Sequence, residues 1–190
     1  MKNLILASSS PRRKELMTRL FKDNFKIIPS PYEENNDLNI NPIELVMLHS
    51  LGKAKEVAKK VSGVVIGADT IVVYNNQVLG KPKDEEDAKN MLKKISGKYV
   101  DVISGIAIIE NDKEVKDYEI TKVKMKNMSH TEIEAYVKTG EPMDKSGAYG
   151  AQEKGAVLIE KIEGCYFNVV GLPLHKLHKM LESFEISIFE

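Results

Sequence analysis

Two arginines follow a short apolar run and a serine-rich turn near the start of the chain. Residues 4–7 are long enough for a buried strand, and Pro11 suits the first position of a helix whose N-cap would be Ser10. The helix dipole disfavours Arg12 and Arg13 in that first turn unless an anion binds there. Because an arginine guanidinium can donate two parallel hydrogen bonds to phosphate oxygens, the turn predicts a phosphate site. A solvated basic turn is an alternative of equal weight.

One aspartate interrupts an apolar run at residues 63–73. Asp69 lies there among β-branched residues typical of a buried strand, and a buried carboxylate must be hydrogen-bonded, paired or metal-bound. The small residues Gly67 and Ala68 beside Asp69 leave room for another group to approach the strand closely. Partly desolvated carboxylates are candidates for catalytic bases, and we favour that interpretation over a structural aspartate that caps a turn.

Two glutamates and two lysines are further candidates. Glu33 and Glu34 follow a predicted strand at residues 25–29, where a carboxylate pair could hold a divalent cation, although a solvated acidic loop is the commoner case. Lys53 lies on the flank of a predicted helix, and Lys81 precedes another helix, where a lysine can reach a phosphate. Each lysine is a weak signal when taken alone.

A glycine-rich segment, residues 140–155, carries the last group of candidates. Its four glycines predict a loop, and loops this long in a compact domain are usually functional or disordered. The alternation of small and polar residues favours a functional loop. Its specific donors are Lys145, Ser146, Tyr149 and Gln152.

Hydrophobic periodicity and turn signals predict the strands and helices that position these residues. Strands are predicted at residues 4–7, 25–29, 63–73, 77–79, 99–109, 114–125 and 156–162, with a hairpin turn at Asn75 and Asn76. Helices are predicted to begin after Ser10, Asn41, Asp84, Ser129 and Pro173. In the second helix the predicted buried stripe is Met47, Leu51, Ala54, Ala58 and Val61. The alternation of predicted strands and helices along the chain indicates an α/β protein.

The length, the charge balance and the absence of certain motifs exclude several kinds of protein. The chain has 190 residues, enough for one α/β domain or one domain in two lobes. Its 28 basic and 28 acidic residues argue against a general nucleic-acid or membrane binder. A single cysteine, Cys165, excludes an internal disulfide, and without a signal peptide or a membrane span we expect a cytoplasmic protein. Motifs typical of P-loop, dinucleotide-binding and α/β-hydrolase proteins are absent from the sequence.

Five motifs in series resemble the Maf family of nucleoside triphosphate pyrophosphatases. They are Leu-Ala-Ser-Ser-Ser-Pro-Arg-Arg-Lys-Glu-Leu at residues 6–16, Gly-Ala-Asp-Thr at 67–70, Leu-Gly-Lys-Pro at 79–82, the segment 140–152, and Val-Val-Gly-Leu-Pro at 169–173. Each motif is weak alone, but together they fall in the family's order and cover nearly the whole chain.

The resemblance implies a fold, a reaction and a cofactor. The implied fold is ITPase-like: an elongated mixed β-sheet flanked by helices, as a single domain over residues 1–190 with two lobes around a central cleft. The implied reaction cleaves a nucleoside triphosphate into the monophosphate and pyrophosphate, assisted by Mg²⁺ or Mn²⁺. A nucleotide substrate is then the expected partner, with no nucleic acid and no membrane; a homodimer is compatible with the sequence, which leaves the oligomeric state open.

The resemblance also assigns roles to individual residues. Asp69 matches the catalytic aspartate and would also serve as a metal ligand with Glu34, for which Glu33 is the fallback. The phosphate-binding set is Ser10, Arg13, Lys53 and Lys81, and the specificity set is Arg12, Thr70 and Gln152, whose identities match the branch that acts on dTTP and UTP. Lys145 and Tyr149 are expected in the same cleft. A glutamine amide can pair with the acceptor and donor edge of uracil or thymine in two places.

Three segments depart from the family pattern: Tyr-Val-Asp at 99–101, which removes a histidine, Ser-Gly at 104–105, and Gly-Cys-Tyr at 164–166. A rival function, from another class, is a nucleotide-binding regulator of septum formation that acts through a protein partner. Multiple turnover would separate the two.

Overall fold

The computed structural model describes residues 2–189, which form a mixed α/β structure. The strands are β1 (Leu4–Leu6), β2 (Lys26–Ile27), β3 (Val64–Tyr74), β4 (Gln77–Leu79), β5 (Tyr99–Glu110), β6 (Lys113–Met125) and β7 (Ile159–Glu163). The helices are α1 (Pro11–Phe21), α2 (Pro42–Ala58), α3 (Glu85–Ile95), α4 (His130–Val137), α5 (Tyr166–Val170) and α6 (Leu174–Glu182). Three short 3₁₀ helices, Glu141–Asp144, Ser146–Ala148 and Lys154–Leu158, lie between α4 and β7.

The strands form one seven-stranded sheet in the order β2-β1-β3-β5-β6-β7, with β4 paired to β3. β1 is parallel to both β2 and β3, whereas β3–β4 and β6–β7 are antiparallel pairs. Asn75 and Asn76 join β3 to β4 with φ of +49° and +60°, as a type I′ hairpin requires. The predicted mixed sheet and hairpin are therefore confirmed, and β5 is central, as its two-sided apolar run predicts.

Two compact units divide the chain. The first contains the chain up to Thr70, Ser104–Glu119 and the chain from Gly171 onwards; the second contains Ile71–Ile103 and Ile120–Val170. A core of the first unit joins β1, β3, β5 and α2 through Ile5, Ala7, Ala54, Val57, Val65, Ala107 and Ile109. A core of the second unit includes Leu92, Ile95, Val102, Met125 and Ile133.

Helix α2 buries a wider face than predicted. Asn41 caps it as predicted, accepting a hydrogen bond from Ile43 N at 2.9 Å. Its buried residues, however, are Leu45, Val46, His49, Ser50, Lys53, Ala54 and Val57, whereas most of the predicted stripe is half-buried. The predicted stripe does face the core, since Ala54 belongs to that core and Leu51, Ala58 and Val61 pack against it. The prediction missed His49, Ser50 and Lys53 because it counted apolar residues only.

The other differences concern element ends. The capping box of Ser129 and Glu132 and the cap at Asp84 are confirmed. The strand predicted from residue 156 begins only at Ile159, because residues 156–158 complete the last 3₁₀ helix. Helix α5 was not predicted, since five residues are too few to show a helical period. No helix within residues 2–189 is long and apolar enough to cross a membrane.

Candidate active site

Arg13 is a buried arginine held by polar groups from three parts of the first unit. Its Nε donates to Gly171 O at 2.9 Å, Nη2 to Thr70 Oγ1 at 3.0 Å and Nη1 to Ser8 Oγ at 3.4 Å. Burial lowers the pKa of the Arg13 guanidinium, while the charges of Asp69 and Glu34 oppose that shift. These bonds fix the plane of the guanidinium, which pre-organises it for an anion.

Thr70 is part of the hydrogen-bond network that holds Arg13. Its Oγ1 lies 2.7 Å from Ser104 Oγ and 3.2 Å from Gly171 O. Ser104 therefore supplies a hydroxyl at one of the positions where the sequence departs from the family pattern. Sequence reasoning missed this contact because small buried hydroxyls carry no periodic signal.

The serine turn before α1 uses its hydroxyls differently from the prediction. Ser10 is the N-cap residue, but its side chain makes no capping hydrogen bond. Ser8 is buried instead, and its Oγ accepts from Ser10 N at 3.2 Å as well as from Arg13. Pro11 begins the helix as predicted, and Arg12 is half-buried in the same first turn.

Lys53 joins the two predicted carboxylates. Its Nζ lies 2.8 Å from Asp69 Oδ1, 2.6 Å from Glu34 Oε1 and 3.3 Å from Ala68 O. Two of the three N–H donors of the ammonium donate to Asp69 Oδ1 and Ala68 O, and Glu34 adds an ion pair. The phosphate-binding role of Lys53 stays a prediction. Glu33 is exposed, and it is Glu34 that contacts Lys53.

Two glycines bring α2 close enough to the sheet for this contact. A Cβ at Gly67 of β3 would overlap the Ser50 carbonyl oxygen and lie 2.8 Å from Ala54 N. A Cβ at Gly105 of β5 would lie 2.9 Å from Met47 N. The close approach predicted at Gly67 is thus made by the helix backbone, and it places Lys53 beside Asp69.

Asp69 and Glu34 offer two carboxylates to a divalent cation. Asp69 is 4% exposed, and its Oδ2 is buried with no hydrogen-bond donor among residues 2–189. The same residues contain no group of three or more His, Cys, Asp or Glu side chains arranged to hold a metal. Two carboxylates, one of them with an unsatisfied oxygen, fit Mg²⁺, which commonly binds one or two carboxylates together with substrate phosphates and water.

The remaining predicted residues belong to the second unit. Lys81 is exposed on a segment tied down by a hydrogen bond from Gly147 N to Gly80 O at 3.0 Å. Lys145 is buried and donates to Glu141 O at 2.9 Å and Asp144 Oδ1 at 2.8 Å. Gln152 is half-buried in a bend of the same glycine-rich segment.

Tyr149 is buried in the core of the second unit. Its hydroxyl has no hydrogen-bond partner within the part of the chain that the structure describes, and burial raises the pKa of the phenol. Tyr149 therefore packs as a core residue, and its predicted role in binding stays a prediction.

Comparisons with known proteins agree on one family. The family model described as Maf-like protein matches residues 3–184. A dTTP/UTP pyrophosphatase of Methanosarcina mazei is 51% identical over all of this chain and 98% of its own length. One from Clostridium botulinum is 48% identical over 99% of this chain and 100% of its own length.

Solved structures support the fold. The Ham1 protein of Staphylococcus aureus superposes with a TM-score of 0.56 at 15% identity, covering 96% of this chain and 100% of that one. A HAM1 protein from Coxiella burnetii gives a TM-score of 0.53 with the same identity and coverage. At this identity the likeness concerns the fold alone.

Proposed function

The chain belongs to the Maf-like protein family, and on that premise we propose that it hydrolyses dTTP and UTP to the nucleoside monophosphate and pyrophosphate. The observation that carries the proposal is the identity of about half of all residues, over the full chain, with relatives named for that activity. The polar groups around Asp69 and Arg13 are of the kind that this reaction needs. Nothing in the structure favours the rival role as a regulator of septum formation.

Asp69 is the proposed base. Water forms a bond to phosphorus, the anhydride bond between the α and β phosphates breaks, and the water proton passes to the carboxylate. Asp69 Oδ2 suits this step because it has no donor within residues 2–189, whereas Oδ1 is held by Lys53. Lys53 thus orients the carboxylate.

Arg13 and the first turn of α1 are the proposed phosphate-binding groups in the first unit. The guanidinium stays charged and is oriented by its contacts with Gly171, Thr70 and Ser8. The N-terminus of α1 adds backbone N–H groups and a partial positive charge. Lys81 is proposed to add a further phosphate contact.

A divalent cation is the proposed cofactor, with Asp69 and Glu34 as its protein ligands. When bound, such an ion neutralises phosphate charge and stabilises the charge that develops on the leaving group. Mg²⁺ and Mn²⁺ are the two candidates, because both prefer oxygen ligands.

Gln152 is proposed to recognise the pyrimidine, and Thr70 to act on specificity through Arg13. The Gln152 amide presents one donor and one acceptor, which complement the uracil or thymine edge. Gln152→Glu should lower turnover of dTTP and UTP and shift preference towards guanine nucleotides. An unchanged preference would contradict this assignment.

The test is pyrophosphate release from a panel of nucleoside triphosphates, with Mg²⁺, with Mn²⁺ and with EDTA. We expect metal-dependent turnover of dTTP and UTP and weak turnover of purine nucleotides. Asp69→Asn should lower kcat at least about 10²-fold without loss of the folded state, as checked by circular dichroism. Absence of turnover on every nucleotide would refute the proposed function.

A further inference from the structure

Glu34 reaches Lys53 from a segment with little else to hold it. Among residues 31–40, all of which the structure describes, every side chain except Tyr32 is exposed. The Glu34 side chain is itself 41% exposed, and ion pairs of that exposure hold a chain segment only weakly. The position of Glu34 therefore needs a second anchor.

Tyr32 makes that anchor against the helix that carries Lys53. A Cβ at Gly52 of α2 would lie within 2.6 Å of three atoms of the Tyr32 ring, so the ring occupies the space that any other residue at position 52 would fill. Gly52 is the residue immediately before Lys53, and Tyr32 lies two residues before Glu34. The aromatic contact and the ion pair are thus neighbours on both segments.

A hydrogen bond at the tip of the ring fixes its direction. Tyr32 Oη lies 3.0 Å from Nδ1 of His49, and the two rings are 5.7 Å apart and tilted. His49 is fully buried, and its Nε2 has no partner within residues 2–189. Tyr32 therefore provides the hydrogen bond to the buried imidazole of His49. Moving the Tyr32 ring away from α2 would leave Nδ1 of His49 without a partner, which is energetically costly.

We propose that Tyr32 is a positioning residue: its ring, seated on Gly52 and hydrogen-bonded to His49, holds residues 30–41 on α2 so that Glu34 stays beside Lys53 and Asp69. The inference rests on the proposed function, because the position of Glu34 matters to activity only if these carboxylates serve hydrolysis. Tyr32 itself touches no reacting atom in this scheme.

The decisive variant is Gly52→Ala, because it blocks the seat of the ring without touching a charged group. Alanine is the better helix former, so α2 itself should not weaken. Hydrogen exchange should accelerate in residues 30–41 and stay unchanged in α1 and β3. The affinity for Mn²⁺ without nucleotide, measured by electron paramagnetic resonance, and kcat/KM for dTTP should each fall about tenfold or more.

Matched variants separate positioning from general damage. Lys55→Ala, on an exposed site of the same helix, should leave exchange, Mn²⁺ affinity and kcat/KM unchanged. Tyr32→Phe keeps the ring and loses the bond to His49, so its effect should be smaller than that of Gly52→Ala. In a Tyr32→Ala background, Gly52→Ala should cause no further loss, since the seat is already empty.

Two outcomes would overturn the inference. One is a Gly52→Ala variant in which exchange of residues 30–41 accelerates while Mn²⁺ affinity and kcat/KM stay at wild-type values. The other is a full additional loss from Gly52→Ala in the Tyr32→Ala background. If the wild-type chain hydrolyses no nucleotide, the proposed function fails, and the exchange and Mn²⁺ measurements still decide whether Tyr32 positions Glu34.

Discussion

Replacing Lys53 by methionine should destabilise the protein far more than the same change at Lys55. Both lysines lie on α2, and each forms an ion pair, at 2.8 Å with Asp69 and at 2.9 Å with Glu114. They differ in burial: the Lys53 and Asp69 side chains are 10% and 5% exposed, against 52% and 36% for Lys55 and Glu114. Methionine keeps the length and the helix propensity of lysine, so the comparison isolates the charge.

The expected magnitude follows from this difference in burial. At 2.8 Å and an effective dielectric constant of about 20, the attraction between Lys53 and Asp69 is about 6 kcal/mol before desolvation is subtracted. Desolvation offsets most of that gain while the pair is intact, but removal of Lys53 leaves the buried Asp69 carboxylate without the ammonium that hydrogen-bonds to it. Removal of one partner of a buried ion pair costs about 3–5 kcal/mol of unfolding free energy. We expect a value of about 3 kcal/mol, because Glu34, the other partner of Lys53, is exposed enough to be solvated instead. Lys55→Met should cost less than about 1 kcal/mol.

Urea unfolding at neutral pH measures both changes. Lys53→Met should lower the transition midpoint without changing the m-value, which would report a changed denatured state. Adding Asp69→Asn should recover about 2 kcal/mol relative to the sum of the single variants, because the buried charge is then absent. Equal costs for Lys53→Met and Lys55→Met, or full additivity with Asp69→Asn, would refute the reasoning.

Three further changes have defined outcomes. Arg13→Lys removes the planar fork, so kcat/KM in the pyrophosphate-release assay should fall about 10–100-fold, whereas Arg19→Lys on the exposed side of α1 should change nothing measurable. Gly67→Ala forces β3 from α2 and should cost about 1–3 kcal/mol in urea unfolding, while Gly80→Ala, which has open space, should cost less than about 0.5 kcal/mol. The hydrogen bond from Lys126, together with the capping-box bonds to Ser129, lowers the pKa of Glu132 from its ordinary value to about 2. The stabilising contribution of Glu132 is therefore complete above the ordinary glutamate pKa and is lost as pH falls towards 2. A carboxyl carbon titration by NMR that shows Glu132 protonating near pH 4 would contradict this.

The candidate site residues were easiest to predict where a residue type is unfavourable in its predicted secondary structure. Asp69 in a β-branched run and Arg13 in the first turn of a helix are both unfavourable unless a specific partner compensates, and both are buried in polar contacts. Regular elements with clear caps, such as the helix after Asp84, were also predicted because their signals are local.

Residues whose importance depends on distant contacts were missed. Ser8 and Ser104 are small hydroxyls with no periodic signal, and Thr70, the partner of Ser104, is 34 positions away. Lys53 was placed on a flank because apolar periodicity ignores the polar residues that share its buried face. Tyr32 carries no signal in the sequence, since its contact with Gly52 exists only once α2 is folded.

The contact between Arg13 and Gly171 has a consequence for how the protein is made. The carbonyl that accepts the Nε hydrogen bond of Arg13 is synthesised 158 residues after Arg13 itself. The first unit is built from three separate stretches, and the second unit is encoded between them. A nascent chain that stops before Gly171 therefore carries Asp69 and Arg13 without the acceptor that orients the guanidinium. Full orientation of Arg13 thus waits until Gly171 has been synthesised.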